Sequence, residues 1–343
     1  MELEVWFSQS SWFLLMLFFS ASIAGLAKSA DILVDSGVNL SLHWRIPKII
    51  IGATILSIGS TLPEVVVSVL AAIQGKPAIA LGNAVGSIIC DTGLILGVAC
   101  LVGKIPLDPK IVNRQGWIQL ALGFLLVFGC MSSFDYKELL TQGGNYPQGL
   151  GGFFLFLFLV YTGLNIYWAK KEESHDNNEN NFLFKETGKS TGNIFVTIFL
   201  MFIVVAISSE ILILTASEMS LRLGISQSII AVTIVALGTS LPELVTAIIA
   251  VKKGHGEIAL GNIIGADILN VLLVSAGAAV ISSGGLAVEP LFFSRSFPIM
   301  LALLIYLRLA ISFSKDTLNK RFAFGFIGLY ILMVSLNIAE VLS

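Results

Sequence analysis

Charge is what this chain has least of. Of its 343 residues only 12% are Asp, Glu, Lys or Arg, against about 25% in soluble domains, which excludes an ordinary soluble fold. Cysteine and histidine number three each. Cys90, Cys100 and Cys130 all fall inside apolar runs, an arrangement that excludes a disulfide framework. His43, His175 and His255 stand at the ends of such runs or in loops, so neither a zinc or copper centre nor a hydrolytic enzyme is expected. There is no basic tract or aromatic stacking motif for nucleic acid, and no period-two alternation for a β-barrel. The start, Met1-Glu2-Leu3-Glu4, lacks the positive region of a cleaved signal, so the first apolar run is expected to stay.

What is present is apolar sequence: 56% of the residues are hydrophobic. A bilayer core about 30 Å thick takes about 20 apolar residues per helix. Ten segments satisfy this: 12–35, 46–74, 77–103, 111–131, 150–169, 193–221, 225–252, 257–282, 291–312 and 322–341. The expectation is an all-α integral membrane protein of ten transmembrane helices. Lysine and arginine set the orientation. With the amino terminus outside, fifteen of the twenty face the cytoplasm, from Arg45 and Lys48 to Lys320 and Arg321, while Lys76, Lys137, Arg222 and Arg295 face out. Both termini are therefore expected to be extracytoplasmic, in a multi-pass protein of the plasma (inner) membrane.

A shift of 179 residues superposes the halves without a gap, and from Thr54/Thr233 to Asp91/Asn270 there are 16 identities in 38 positions. Residues 1–169 and 193–343 then form two repeats of five helices each. Five is odd, so the second is inverted relative to the first, the plan of secondary transporters with midplane sites. Between them, 170–192 contains "KKEESHDNNENNF", too polar to bury a core, and reads as a cytoplasmic linker.

Each repeat carries an acid behind a proline in an apolar span: "GSTLPE" with Pro63 and Glu64, "GTSLPE" with Pro242 and Glu243. Proline has no N–H and crowds the carbonyl four residues back, which belongs to Gly59 or Gly238. A broken helix with a freed carbonyl is expected at each, tolerated at membrane depth only where it lines a cavity. Ser57, Ser60 and Thr61 surround the first break, Thr239 and Ser240 the second. Carboxylates, hydroxyls and carbonyls together are hard oxygen ligands suited to calcium, and sodium is equally hard. Asp91 lies 27 residues after Glu64 and Asn270 27 after Glu243, with Ser87 one turn before Asp91. An ionisable residue inside the membrane is a functional candidate. Gly82, Asn83 and Gly86 are expected to allow close helix approach, Asn83 and Asn262 to brace the broken helices, and Thr54 and Thr233 to be packing hydroxyls. On the first and sixth spans, Lys28, Asp31 and Asp35 and, opposite, Glu210 and Glu218 read either as interfacial ion pairs or as gate residues.

"GSTLPE" with "GNAVGSIICD", and "GTSLPE" with "GNIIGADILN", resemble the two α-repeats of the calcium/cation antiporter superfamily, in its prokaryotic, YrbG-type sodium/calcium exchanger-like branch. The resemblance covers nearly the whole chain. It implies four central helices around the ions and two long helices that slide. It also implies that Glu64 and Glu243 bind calcium and sodium, that Ser60, Thr61, Thr239 and Ser240 are ligands, and that Ser57 and Ala236 stand at backbone-carbonyl positions. Ser87, Asp91 and Asn270 match ligands of the third and eighth helices. The chain departs from the family in having Asp91 and Asn270 exchanged between the halves, Ala266 without the expected hydroxyl, and Asp267 as an extra acid. The expected activity is exchange of Ca2+ for Na+ by alternating access, with Ca2+/H+ antiport or a cation channel as alternatives. No cofactor, nucleic acid or obligate protein partner is expected; the partners are inorganic cations and the lipid bilayer.

Overall fold

The computed structural model describes residues 2–176, 191–224, 238, 240–314 and 316–342. A short helix α1 (Glu2–Gln9) precedes α2 (Trp12–Trp44). Next come α3 (Lys48–Ser60), α4 (Leu62–Ile73), α5 (Pro77–Val102) and α6 (Pro109–Cys130). The first half closes with α7 (Tyr136–Gln142) and α8 (Gln148–Asp176). The second half contributes α9 (Thr191–Arg222), α10 (Leu241–Lys252), α11 (Gly256–Ile281), α12 (Phe292–Phe313) and α13 (Lys320–Leu342). Eight of these are long and apolar enough to cross a membrane, nine when α3 and α4 count as one bent span.

Two boundaries differ from the sequence reading. Helix α2 runs to Trp44 rather than ending near 35, because Asp31 and Asp35 are matched by Lys253 and do not stop the helix. Helix α8 runs on to Asp176 through the start of the linker, where Lys and Glu are good helix formers; 177–190 lie outside the described residues. The span expected at 225–252 is described from Leu241 as α10.

Two small antiparallel ladders interrupt the helices, at opposite ends of the bundle. Ile105–Pro106 (β1) pairs with Thr317–Leu318 (β4), and Gly144–Tyr146 (β2) with Leu286–Val288 (β3). They tie the loop after α5 to that before α13, and the loop before α8 to that before α12.

The core is central rather than radial. In their most apolar windows α5 is 72% buried and α11 83%, against 28% for α2, 22% for α9 and 11% for α13. Helices α3, α4, α5, α10 and α11 therefore form the middle, while α2 and α9 pack along each other outside it. Glycine makes the middle dense. A Cβ on Gly261 would overlap the Ile49 carbonyl oxygen, and one on Gly265 would lie 2.7 Å from both Ala53 Cα and Ser57 Oγ. Backbone thus meets backbone where α11 crosses α3, as small residues permit between membrane helices. The expected close approach is realised at Gly261 and Gly265, whereas the nearest atom to a Cβ on Gly82 is Phe292 Cζ at 3.8 Å.

Because the neighbour at Gly261 is main chain, it cannot turn aside. Gly261→Val should destabilise the purified protein by about 1–3 kcal/mol or more, read as a lower thermal midpoint in detergent; an unchanged midpoint contradicts this crossing.

Candidate cation site

The first proline does not sit inside a helix; it starts one. Helix α3 ends at Ser60, Thr61 leaves the helical path (φ −82, ψ −6), and α4 begins with Pro63 in its first turn, where a missing N–H costs nothing. The two segments meet at a bend of 42°. The second motif starts α10 in the same way, with Ser240 (φ −89, ψ 7) before it and Pro242 in its first turn; 225–237 and 239 lie outside the described residues. Glu64 and Glu243 each follow the proline, so both carboxylates hang from the start of a helix. The breaks also have a packing reason. A Cβ on Gly59 would overlap the Phe202 ring and one on Gly238 the Ile213 side chain, so α9 presses on both.

Asp91 and Asn270 each open a π-helical turn, at Cys90–Ile95 within α5 and Asn270–Ser275 within α11. Such turns interrupt the regular ladder and are frequent at functional sites. Nothing in the sequence pattern signals them.

Every described candidate is buried: Ser57, Ser60, Thr61, Glu64, Ser87, Asp91, Ser240, Glu243 and Asn270 are each 4% exposed or less. Thr239 and Ala236 lie outside the described residues. The halves meet at Asp91. Its carboxyl is within electrostatic range of Glu243, Asp267 and Glu64, with the Ser240 hydroxyl beside it, and Ser60 adjoins Glu243. Four oxygens here are buried without a hydrogen-bond partner: Thr61 Oγ1, Asp91 Oδ1, Glu243 Oε2 and Asn270 Oδ1. Buried polar atoms normally find partners, so four orphan oxygens in one region, with the Ser240 hydroxyl against Asp91, form a set of acceptors suited to a cation. Among the described residues no three His, Cys, Asp or Glu side chains converge as a metal centre. A cation here would draw on hydroxyls, amide and main chain as well as acids.

The carbonyl of Ser57 is not freed by the break; it accepts the Thr61 N–H at 3.0 Å and the Ser60 hydroxyl at 3.4 Å. Asn83 Nδ2 donates to the Glu64 carbonyl at 3.2 Å and to Ser68 Oγ at 3.0 Å, holding α4 against α5. Asn262 accepts from Ser60 Oγ at 3.4 Å. Thr54 bonds its own helix, to Ile50 O at 2.7 Å, as a packing hydroxyl does.

Asp267 has a separate environment. Its Oδ2 accepts from Thr92 Oγ1 and Gln119 Nε2, both at 2.5 Å. Beyond Gln119, Gln115 donates to Asn165 Oδ1 at 2.6 Å and accepts from Tyr161 at 3.1 Å. This buried polar seam between α6, α8 and α11 was not foreseen; in sequence its amides look like isolated polar residues.

The charged residues of the long helices resolve into ion pairs. Lys253, just past α10, reaches Asp31 and Asp35 of α2 at 2.7 Å each. Burial works against its charge, yet its hydrogen bonds to those carboxylates hold the ammonium above the usual lysine range. The clamp therefore persists through neutral pH and is lost as pH climbs past that raised value, or falls far enough to protonate the Asp31 carboxylate. Nearby, Lys48 pairs with Glu257 at 3.1 Å, and burial together with the Lys48 charge holds His255 below the usual imidazole range. At the other end Arg222 pairs with Glu218 at 2.7 Å and donates to the carbonyl oxygens of Phe7 and Ser8. Glu210 lines an apolar recess with Trp6, Phe7 and Phe18.

A cluster of buried oxygens inside a bundle of apolar helices points to a membrane protein that handles cations, and comparison with known proteins agrees. The model of the sodium/calcium exchanger protein family matches residues 14–167 and 193–339; the chain belongs to that family. It is 33% identical to the inner membrane protein YrbG of Escherichia coli over 80% of this chain and 81% of that one. With the sodium/calcium exchanger MaX1 of Methanosarcina acetivorans it shares 29% identity over 84% and 88% of the two chains. The sodium–calcium exchanger NCX_Mj, solved after soaking in 10 mM Na+ and 10 mM Sr2+, superposes with a TM-score of 0.77 at 26% identity, covering 94% of this chain and 98% of its own. Family and fold together support a cation/Ca2+ exchanger in a multi-pass membrane protein.

An intramolecular hydrogen bond contributes about 0.5–1.5 kcal/mol net. Thr92→Val, which leaves Asp267 with Gln119 alone, should lower unfolding free energy by about that much; a denaturant midpoint equal to wild type contradicts the seam.

Proposed function

We propose that this chain is a secondary-active antiporter that exchanges Ca2+ for Na+ by alternating access, with Glu64 and Glu243 as shared ligands. The observation that carries the reading is the set of partnerless buried oxygens on Thr61, Asp91, Glu243 and Asn270, with Ser240 as a further ligand beside Asp91. Ser57, Ser60, Ser87 and Thr239 complete the ligand set, with Ala236 contributing main chain. Relatives named as sodium/calcium exchangers support the choice of ions.

In this mechanism a cavity of carboxylates holds either one Ca2+ or several monovalent ions, because both need the same oxygens. An empty cavity keeps uncompensated charge in low dielectric, which is costly, so the loaded forms are those that cross. No prosthetic group or covalent step is required. The architecture behind it is ten crossings in two inverted five-helix repeats, with the proline breaks at the ions. Two features support the inversion. The paired ladders lie at opposite ends of the bundle, and the π-helical turns at Asp91 and Asn270 correspond within a residue under the 179-residue shift. Helices α2 and α9, 33 and 32 residues long, are the sliding pair. By the lysine and arginine count both termini face away from the cytoplasm, and the membrane is the inner one, as YrbG's name supports.

Proton coupling is the second reading. Asp267, a fully buried acid within reach of Asp91 and Glu243, and Ala266, lacking a hydroxyl, favour it.

Radiolabelled Ca2+ uptake into vesicles under an imposed Na+ or H+ gradient tests both. Uptake should follow the Na+ gradient and fall about 10–100-fold in Glu64→Gln or Glu243→Gln, as loss of a charged ligand contact implies. Uptake indifferent to both gradients, or intact in both variants, removes the reading. Asp91→Asn alone should impair exchange, and the double variant Asp91→Asn/Asn270→Asp should restore it, since it returns the same ligands across the pseudo-twofold. Failure of the double variant to exceed the single one contradicts that symmetry.

A further inference from the structure

Away from the ion site, one cation is buried without an anion. Arg308 of α12 is 6% exposed, and among the described residues no carboxylate lies within ion-pair distance of it. Its Nη2 donates to Asn113 Oδ1 at 2.9 Å, while Nε and Nη1 are buried with no partner. The guanidinium lies 4.6 Å from the Trp117 ring. It lies flat on α6 at Gly116, where a Cβ would come 2.9 Å from Nη1. One neutral amide and one aromatic face hold a permanent charge. An uncompensated buried cation is costly, and guanidinium is shaped for two-pronged contact with phosphate.

The surroundings identify what supplies the anion. Nearby carboxylates do not: Asp108 is occupied in capping α6, accepting from the N–H groups of Lys110 and Ile111 at 2.9 and 3.1 Å. Trp117 is 60% exposed on a membrane-spanning helix, so the guanidinium is screened from the bilayer by a side chain able to swing aside. Trp44 ends α2, and Trp117 and Trp168 lie in the same half of the bundle, each eight residues, about 12 Å, from the near end of its helix; tryptophan is enriched toward a membrane interface. Lys110 is exposed and precedes Asn113 and Trp117 at helical spacing on the same face. A lysine at the start of α6 thus leads along one face to an amide, an indole and a buried arginine.

We propose that Arg308, with Lys110, Asn113 and Trp117, binds the phosphate of an anionic phospholipid headgroup in the groove between α6 and α12. Basic pockets between membrane helices take such headgroups. In the bound state Trp117 turns off the guanidinium and packs on the acyl chain, and the phosphate accepts from the unpartnered Nε–H and from the neighbouring Nη2, whose other N–H donates to Asn113.

The test is native mass spectrometry of the full chain with phosphatidylglycerol or phosphatidylcholine, paired with thermal unfolding in each lipid. Wild type should retain and be stabilised by phosphatidylglycerol in preference. Arg308→Gln should lower that preference about fivefold, the worth of one interfacial arginine. Lys110→Gln, at an exposed position, should lower it by a smaller measurable factor and serves as the readout if Arg308→Gln does not fold. Equal lipid preference in wild type and Arg308→Gln overturns the proposal, as does an unchanged Lys110→Gln when the arginine variant cannot be purified. Equal stabilisation by inorganic phosphate overturns the assignment to lipid. None of these readouts requires transport.

Discussion

An acid at the midplane of a bilayer has few ways to exist. It must be neutralised by a proton, an ion or a basic side chain, and the described ion pairs place Lys48, Arg222 and Lys253 at the two ends of the bundle rather than beside Glu64, Asp91 or Glu243. The acids are met by oxygens instead: the bend between α3 and α4 sets hydroxyls beside Glu64, and π-helical turns carry Asp91 and Asn270. Glycines let α11 press on α3, so that elements of the two halves meet backbone to backbone.

Two kinds of contact hold the bundle together. The middle is cross-braced by Asn83 on α4, Asn262 on Ser60 and the Asp267 seam on α6. By contrast α9 meets the core through the apolar side chains of Phe202 at Gly59 and Ile213 at Gly238, and α2 buries Leu26, Leu33, Val34 and Leu40 and is pinned at one end by Lys253. In the antiporter proposed above, the outer pair would slide on apolar faces while the polar braces keep the ligand-bearing helices together.

Much of this was legible in the sequence, for physical reasons. Buried acids behind proline are too costly to occur twice at equal spacing by chance, so Glu64 and Glu243 stood out, and hydropathy marked the spans. The role of Pro63 was legible only in part: a local rule predicts disruption, whereas the structure uses proline to start α4, a choice visible only once Thr61 is seen leaving the helix. The π-helical turns have no composition signature. Lys253 could not be matched to Asp31 by spacing, since they meet only when α10 has been laid against α2. Gln119 and Thr92 became meaningful only as neighbours of Asp267.

The clamp between Lys253 and α2 has no counterpart across the pseudo-twofold, where the residue matching Lys253 is the uncharged Gln74 and that matching Asp31 is Glu210. In the alternating-access antiporter proposed above, the two halves would then close unequally. A half-exposed ion pair contributes about 0.2–1 kcal/mol, enough to bias such an equilibrium up to about fivefold. The side on which an idle carrier rests would then be set by a single lysine far from the residues that select the ions.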